Sequence, residues 1–171
     1  MDITYFESPG EQNTERVLDI VKKRCEDLGI THVLVPSVRG ISAEKSMDKF
    51  ENTGVTLFFV GIDPAKFSRD TRARIERSGL KLVFYKQVNY TYPDEVKNAF
   101  RRFGQGTKVA VELALIAAQE EAVPVDTEVV SLGGTGKGLD TALIILPAKS
   151  SNFNDLEVRE VLCKPRRIKI E

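Results

Sequence analysis

Tryptophan is absent from this chain of 171 residues, histidine occurs once, and cysteine occurs twice. Each scarcity removes a class of function. His32 has no Cys, His or carboxylate at ligand spacing, which leaves neither a zinc site nor the base of a Ser-His pair; it reads as a structural histidine, and no metal is expected. Cys25 and Cys163 lie far apart and each fits an apolar pattern, so both read as core thiols rather than a disulfide or a nucleophile. Lys plus Arg equals Asp plus Glu at 25 each, so bulk charge points to no nucleic-acid or membrane partner. No apolar run approaches the ~20 residues of a membrane span, and the opening MDITYFESPG has no basic region and no long apolar core of the signal-peptide kind. The expectation is a cytoplasmic chain; a homo-oligomer is compatible with the sequence. One local charge excess exists, Lys164, Arg166, Arg167 and Lys169 near the end, read as a solvated tail, with an anion contact as the minority reading.

What is present is an ordinary globular balance, 42% hydrophobic and 29% charged, enough to bury one core in a single domain over 1–171. The apolar spacing predicts a short strand over 3–6, a helix capped by Asn13 or Thr14 and closed by Gly29, and a doubly buried strand over 32–37. A helix from about Ser42 to Asn52 follows, then the strand 55–62. Asp63-Pro64 reads as a helix start, with that helix running to about Ser78. A fourth strand covers 80–86 and a helix runs from Pro93 to about Phe103. The segment from about Thr107 to Ala122 is so apolar that it predicts a buried helix, with Glu112 its odd residue, read as a structural ion pair ahead of a ligand contact. TEVVSL and TALIIL read as strands, and DLEVREVLCK as extended, with helix as its alternative. Strands alternating with helices and buried on both faces predict an α/β fold, a three-layer α/β/α sandwich around a mainly parallel mixed sheet. In such sheets ligands bind at the carboxyl ends of the strands, which makes the loops 7–13, 37–42 and 133–138 candidates for one edge.

The densest motif is SLGGTGKGLDTA, residues 131–142. It is not a Walker A loop: Ser131 stands where the first glycine belongs and Gly138 where the hydroxyl belongs. It is not a dinucleotide fingerprint either, and a strand rather than a helix follows it. Its glycines either turn the chain or let backbone approach a ligand, with Lys137 facing an electron-rich group; ligand contact is the favoured reading. A better anion site is the strand-loop-helix around Ser37, Arg39, Gly40 and Ser42. It offers hydroxyls, a cation, a tight turn and free helix N–H groups, although Ser42 as a plain N-cap would explain part of it.

The pattern V-x-V-x-S-x-x-G-x-S-A over 33–43 is similar to the phosphate-binding segment of the C-terminal, allosteric domain of pyruvate kinase. More widely, YFESPGEQNT, PSVRGISA, RRFGQGTKVAVELALIAA, PVDTEVVSLGGTGKGLDTALI and FNDLEVREVLCKPR resemble, in order, the free-standing archaeal and bacterial proteins of the pyruvate kinase alpha/beta domain type. The resemblance implies their three-layer fold and a bound flavin mononucleotide (FMN), with Ser37, Gly40 and Ser42 on its phosphate. It implies no reaction, and pyruvate kinase chemistry belongs to a barrel domain that this chain lacks. Beyond the matched motif, the ring is expected near Gly104, Gln105 and Gly106 and near Gly134, Thr135, Gly136 and Lys137, with Asn13 and Thr14 closing the site. Lys137 is the expected tuner of the ring's redox behaviour. Phe103, Tyr85 and Phe153 could stack on it but read first as core residues. Two functions follow: a flavoprotein, either oxidoreductase or carrier, or a non-catalytic sensor of a phosphorylated metabolite. Hydrolase or transferase chemistry is the weakest reading, since a lone histidine and the absence of a clustered carboxylate pair supply no machinery for it.

Overall fold

The structure, a computed structural model, describes residues 2–168. Seven strands form one sheet: β1 (Thr4–Phe6), β2 (His32–Pro36), β3 (Thr56–Gly61), β4 (Lys81–Phe84), β5 (Val129–Gly133), β6 (Thr141–Leu146) and β7 (Glu157–Pro165), in the order β1-β7-β6-β5-β2-β3-β4. Among the described residues only the two pairings that involve β6 are antiparallel; β1 with β7, β5 with β2, β2 with β3 and β3 with β4 are all parallel. The α/β fold and the mixed, mainly parallel sheet are therefore as the alternation of elements predicts. DLEVREVLCK is strand rather than helix.

Five helices cover the sheet: α1 (Thr14–Leu28), α2 (Ile41–Phe50), α3 (Arg69–Arg77), α4 (Asp94–Arg101) and α5 (Gln105–Gln119). The two-residue period of the strands sorts them to opposite faces. Val33, Val35, Leu57 and Phe59 pack with Val17 and Leu18 of α1, Met47 and Phe50 of α2 and Ile75 of α3. Leu34, Phe58 and Val60 pack with Val111, Ala114 and Leu115 of α5, against which Val96 and Phe100 of α4 also lie. Each fully buried side chain of this size contributes roughly 1.5–3 kcal/mol relative to exposure, so burial on both faces fixes the register of the central strands.

The strand expected over 80–86 ends at Phe84, and three helix starts also differ from expectation. The helix after β3 begins at Arg69, not Pro64: Asp63 closes a turn on the Ala65 amide at 2.9 Å, and Phe67 is buried edge-on to Phe84, holding 63–67 out of the helix. Ser68 is then the cap, its Oγ accepting from Thr71 N at 3.3 Å. α2 starts at Ile41 with Gly40 as N-cap, so Ser42 is a helical residue and not a cap. α5 starts at Gln105, which takes Gln105 and Gly106 out of the preceding loop. Phe103, expected in the core, is 60% exposed. Among the described residues no helix is long and apolar enough to cross a membrane. Lys169 of the basic tail lies outside the described residues; within them Lys164 lies over the Tyr5 ring.

Candidate functional site

Parallel strands bring the loops after β1, β2, β3 and β5 to one edge, and a cleft of about 830 Å³ opens there. That volume is in the range of small-molecule sites. Of the residues singled out from sequence, Thr14, Ser37, Arg39, Ser42, Gln105, Gly134, Gly136 and Lys137 line it. The turn with Arg39 and the glycine loop therefore share one cavity. Asn13, Gly40, Gly104, Gly106 and Thr135 do not line it.

One wall comes from the α1/α2 face. Ser37 Oγ accepts from the amides of Gly40 at 3.1 Å and Ala43 at 3.3 Å, so its lone pairs cap α2 from within the loop. The first intrahelical bond of α2 runs from Glu44 N to Gly40 O, which leaves the Ile41 and Ser42 amides without a helical acceptor. Gly40 holds φ 105, and a Cβ there would stand 2.8 Å from Thr71 Oγ1. Glycine is required by both the turn and the packing.

The glycine loop is stitched to this wall. Thr14 Oγ1 accepts from Leu139 N at 3.0 Å, and Gly10 N donates to Asp140 Oδ2 at 3.1 Å. Asp140 is fully buried; Thr135 and Thr141 also bond its carboxylate. Burial pushes its carboxyl above the ordinary range, and these hydrogen bonds oppose that rise. The sequence reading missed Asp140. Its signal was a lone acid at the head of the apolar run TALIIL, where a charge needs partners. Asn13 Nδ2 donates to Ser8 O and Gly10 O and so shapes the same loop.

Close packing accounts for three of the loop's glycines. A Cβ on Gly133 would lie 1.9 Å from Gly106 O, one on Gly134 2.0 Å from Gly138 O, and one on Gly138 2.4 Å from Glu11 Cα. Gly136 alone has open space, with φ 74. Gly106 is the helix side of the same contact, which lets the start of α5 touch the end of β5.

The opposite wall is built by α4 and α5. Asp94, Lys97 and Arg101 line the cleft from α4; Gln105, Lys108 and Glu112 line it from α5. Glu112 is paired, as the sequence suggests: its Oε2 meets Lys108 Nζ at 2.6 Å and its Oε1 accepts from Tyr90 OH at 2.8 Å. Burial, then the Glu112 charge, raises the Tyr90 hydroxyl well above its usual pKa. Arg101 is held differently, by Gln105 Oε1 at 3.1 Å and Asn98 Oδ1 at 2.8 Å.

In total six cationic side chains line the cleft, Arg39, Lys45, Lys97, Arg101, Lys108 and Lys137, against the carboxylates Glu11, Asp94 and Glu112. A chain of zero net charge thus places a surplus of three positive charges around one cavity. Between the charges Val38, Ile41 and Ile62 stand 40%, 63% and 46% exposed, beside Tyr85. Such a cavity attracts an anion and offers its body an apolar surface. No known family model matches the chain. Among the described residues no three His, Cys, Asp or Glu side chains come together as a metal site.

Proposed function

We propose that this cleft binds a phosphorylated small molecule with a flat apolar body, FMN by resemblance. The observation that carries the reading is the coexistence, in one cavity, of the cationic surplus and the exposed Val38, Ile41 and Ile62. The phosphate belongs at the start of α2, where the Ile41 and Ser42 amides, Arg39 and Lys137 offer charge-assisted hydrogen bonds. The isoalloxazine, polar-edged and apolar-faced, suits the surface beyond it. When bound, the flavin supplies electron transfer; the chain supplies binding, orientation and charge. The wider assignment, a domain like the C-terminal domain of pyruvate kinase with FMN as cofactor, rests on the motifs over 33–43 and along the chain.

Purified protein is expected to be yellow or to take up FMN with a Kd of roughly micromolar or below. Riboflavin, lacking the phosphate, should bind far more weakly. Ser42→Ala should weaken FMN by about 1 kcal/mol or more, the scale of a hydrogen bond to a charged group. Equal binding of FMN and riboflavin removes the phosphate site. The second reading, a sensor without chemistry, draws on Glu112 being tied to Lys108 and Tyr90 rather than standing free as an acid or base. It predicts that sugar phosphates or nucleotides raise the melting temperature and FMN does not.

A further inference from the structure

We infer that Arg101 is the receptor for the electron-rich edge of the bound ring and sets the redox potential of the flavin; this rests on the FMN reading above. The two cleft walls belong to opposite faces of the sheet, since α2 packs on one and α4 and α5 on the other. The glycine loop is bonded to the α1 side through Thr14 and Gly10, and Gly138, next to Lys137, packs against Glu11 and Thr14, which sets Lys137 toward that side of the cleft. A ligand whose phosphate sits at the start of α2 and whose ring crosses the apolar surface presents its far edge to α4 and α5. Three cations wait there. Lys97 is paired with Asp94 at 3.4 Å and Lys108 with Glu112 at 2.6 Å, so their charges are offset. Arg101 is held by Gln105 and Asn98, both neutral amides, which fix the guanidinium without neutralising it. A planar cation with unused donors, positioned on a cleft wall, is suited to two adjacent acceptors such as the carbonyl and ring nitrogen of the flavin's pyrimidine edge.

A bound flavin that took up two electrons and one proton would carry one negative charge on that edge. A guanidinium facing it binds the reduced form more tightly than the oxidised form, and so raises the potential. On this reading the tuning role expected of Lys137 falls to Arg101, because of the wall on which each lies.

The test uses the FMN-loaded full chain titrated with dithionite beside a redox dye, and FMN affinity measured by fluorescence quenching. Arg101→Gln is expected to weaken oxidised FMN several-fold and reduced FMN a further ten-fold, lowering the midpoint potential by about 30 mV for the two-electron couple. Arg101→Lys should recover part of that shift. Arg39→Gln, on the phosphate wall, should weaken both redox forms alike and leave the potential in place. If wild type binds FMN but Arg101→Gln leaves affinity and potential unchanged, the inference is overturned while the binding reading stands. A potential lowered by Arg39→Gln and not by Arg101→Gln overturns it too, by reversing the ring. If wild type takes up no FMN, the binding reading fails and the inference falls with it.

Discussion

The amide of Gly10 donates to Oδ2 of Asp140 over 3.1 Å, joining positions 130 residues apart in the chain. The bond fastens the loop after β1 to the glycine loop after β5, and both reach the cleft. Asp140→Ala would leave the Gly10 N–H and the Thr135 and Thr141 hydroxyls short of an acceptor. A loss of about 2 kcal/mol or more is expected in urea unfolding, with faster amide exchange in 8–14. The pH dependence has a definite sign. Burial raises the Asp140 carboxyl above its ordinary value of 3.8, so the folded chain holds the proton more tightly than the unfolded one. That contribution is fully present below pH 3.8 and is lost as pH rises through the folded value. The gap in stability between wild type and Asp140→Ala should therefore narrow as pH is raised from about 3.5.

Gly133 and Gly136 stand three positions apart and should respond differently to alanine. At Gly133 the new Cβ would meet the backbone oxygen of Gly106 at 1.9 Å, and backbone cannot swing aside. A cost of roughly 3 kcal/mol or more is expected, at the upper end for overpacking. At Gly136 nothing lies within 4 Å, and only the φ of 74 opposes a side chain, worth about 1 kcal/mol. Chemical denaturation of the two variants decides the matter. Similar losses at both sites would mean that the glycines serve the turn and not the contact between α5 and β5.

These glycines show how far the sequence could be read. The apolar run at 33–35 announces a strand buried on both faces, because two packed faces leave no polar alternation, and the structure has it so. Placing the Arg39 turn and Lys137 at one edge needed only the rule that parallel strands end together. The rest was hidden in tertiary contact. That Gly106 and Gly133 touch depends on how α5 crosses β5, which no local pattern encodes. Arg101 looks like any cation on an amphipathic helix until Asn98 and Gln105 are seen to hold it. Asp63-Pro64 failed as a helix start for the same kind of reason, since burial of Phe67 against Phe84 outweighs a good capping pair.

Both cysteines are free and buried, and burial pushes each thiol from 9.0 up to about 12. Neither should react with a thiol reagent at pH 8 in the folded chain, and both should react once it is unfolded in urea. The same shift predicts alkaline sensitivity. Unfolded thiols ionise near pH 9 whereas folded ones do not, so the stability they contribute is intact below pH 9 and lost between 9 and about 12. The raised Tyr90 and Tyr92 hydroxyls act in the same direction. Melting temperature should fall steadily from pH 9 upward, and a Cys25→Ala, Cys163→Ala double variant should flatten part of that decline. Ready labelling at pH 8 without denaturant would contradict the burial.

Glu112 separates a structural pair from a ligand contact. Its carboxylate holds Lys108 at 2.6 Å and Tyr90 at 2.8 Å, with both side chains of the ion pair only 12% exposed. Glu112→Ala removes the acceptor for both, leaving an ammonium and a phenol with unmet hydrogen bonds on a half-buried wall. The expected loss is roughly 1–3 kcal/mol, between the values for surface and fully buried pairs. The same change deletes one of three carboxylates that face six cations, so the field in the cleft becomes more positive. A structural Glu112 therefore predicts opposite signs in two measurements: a lower melting temperature, and FMN affinity that holds or rises at low salt. A Glu112 that accepts a hydrogen bond from the ligand predicts that affinity falls. Repeating the titration at raised ionic strength isolates the electrostatic part, since the gain at low salt should shrink as the cleft charges are screened.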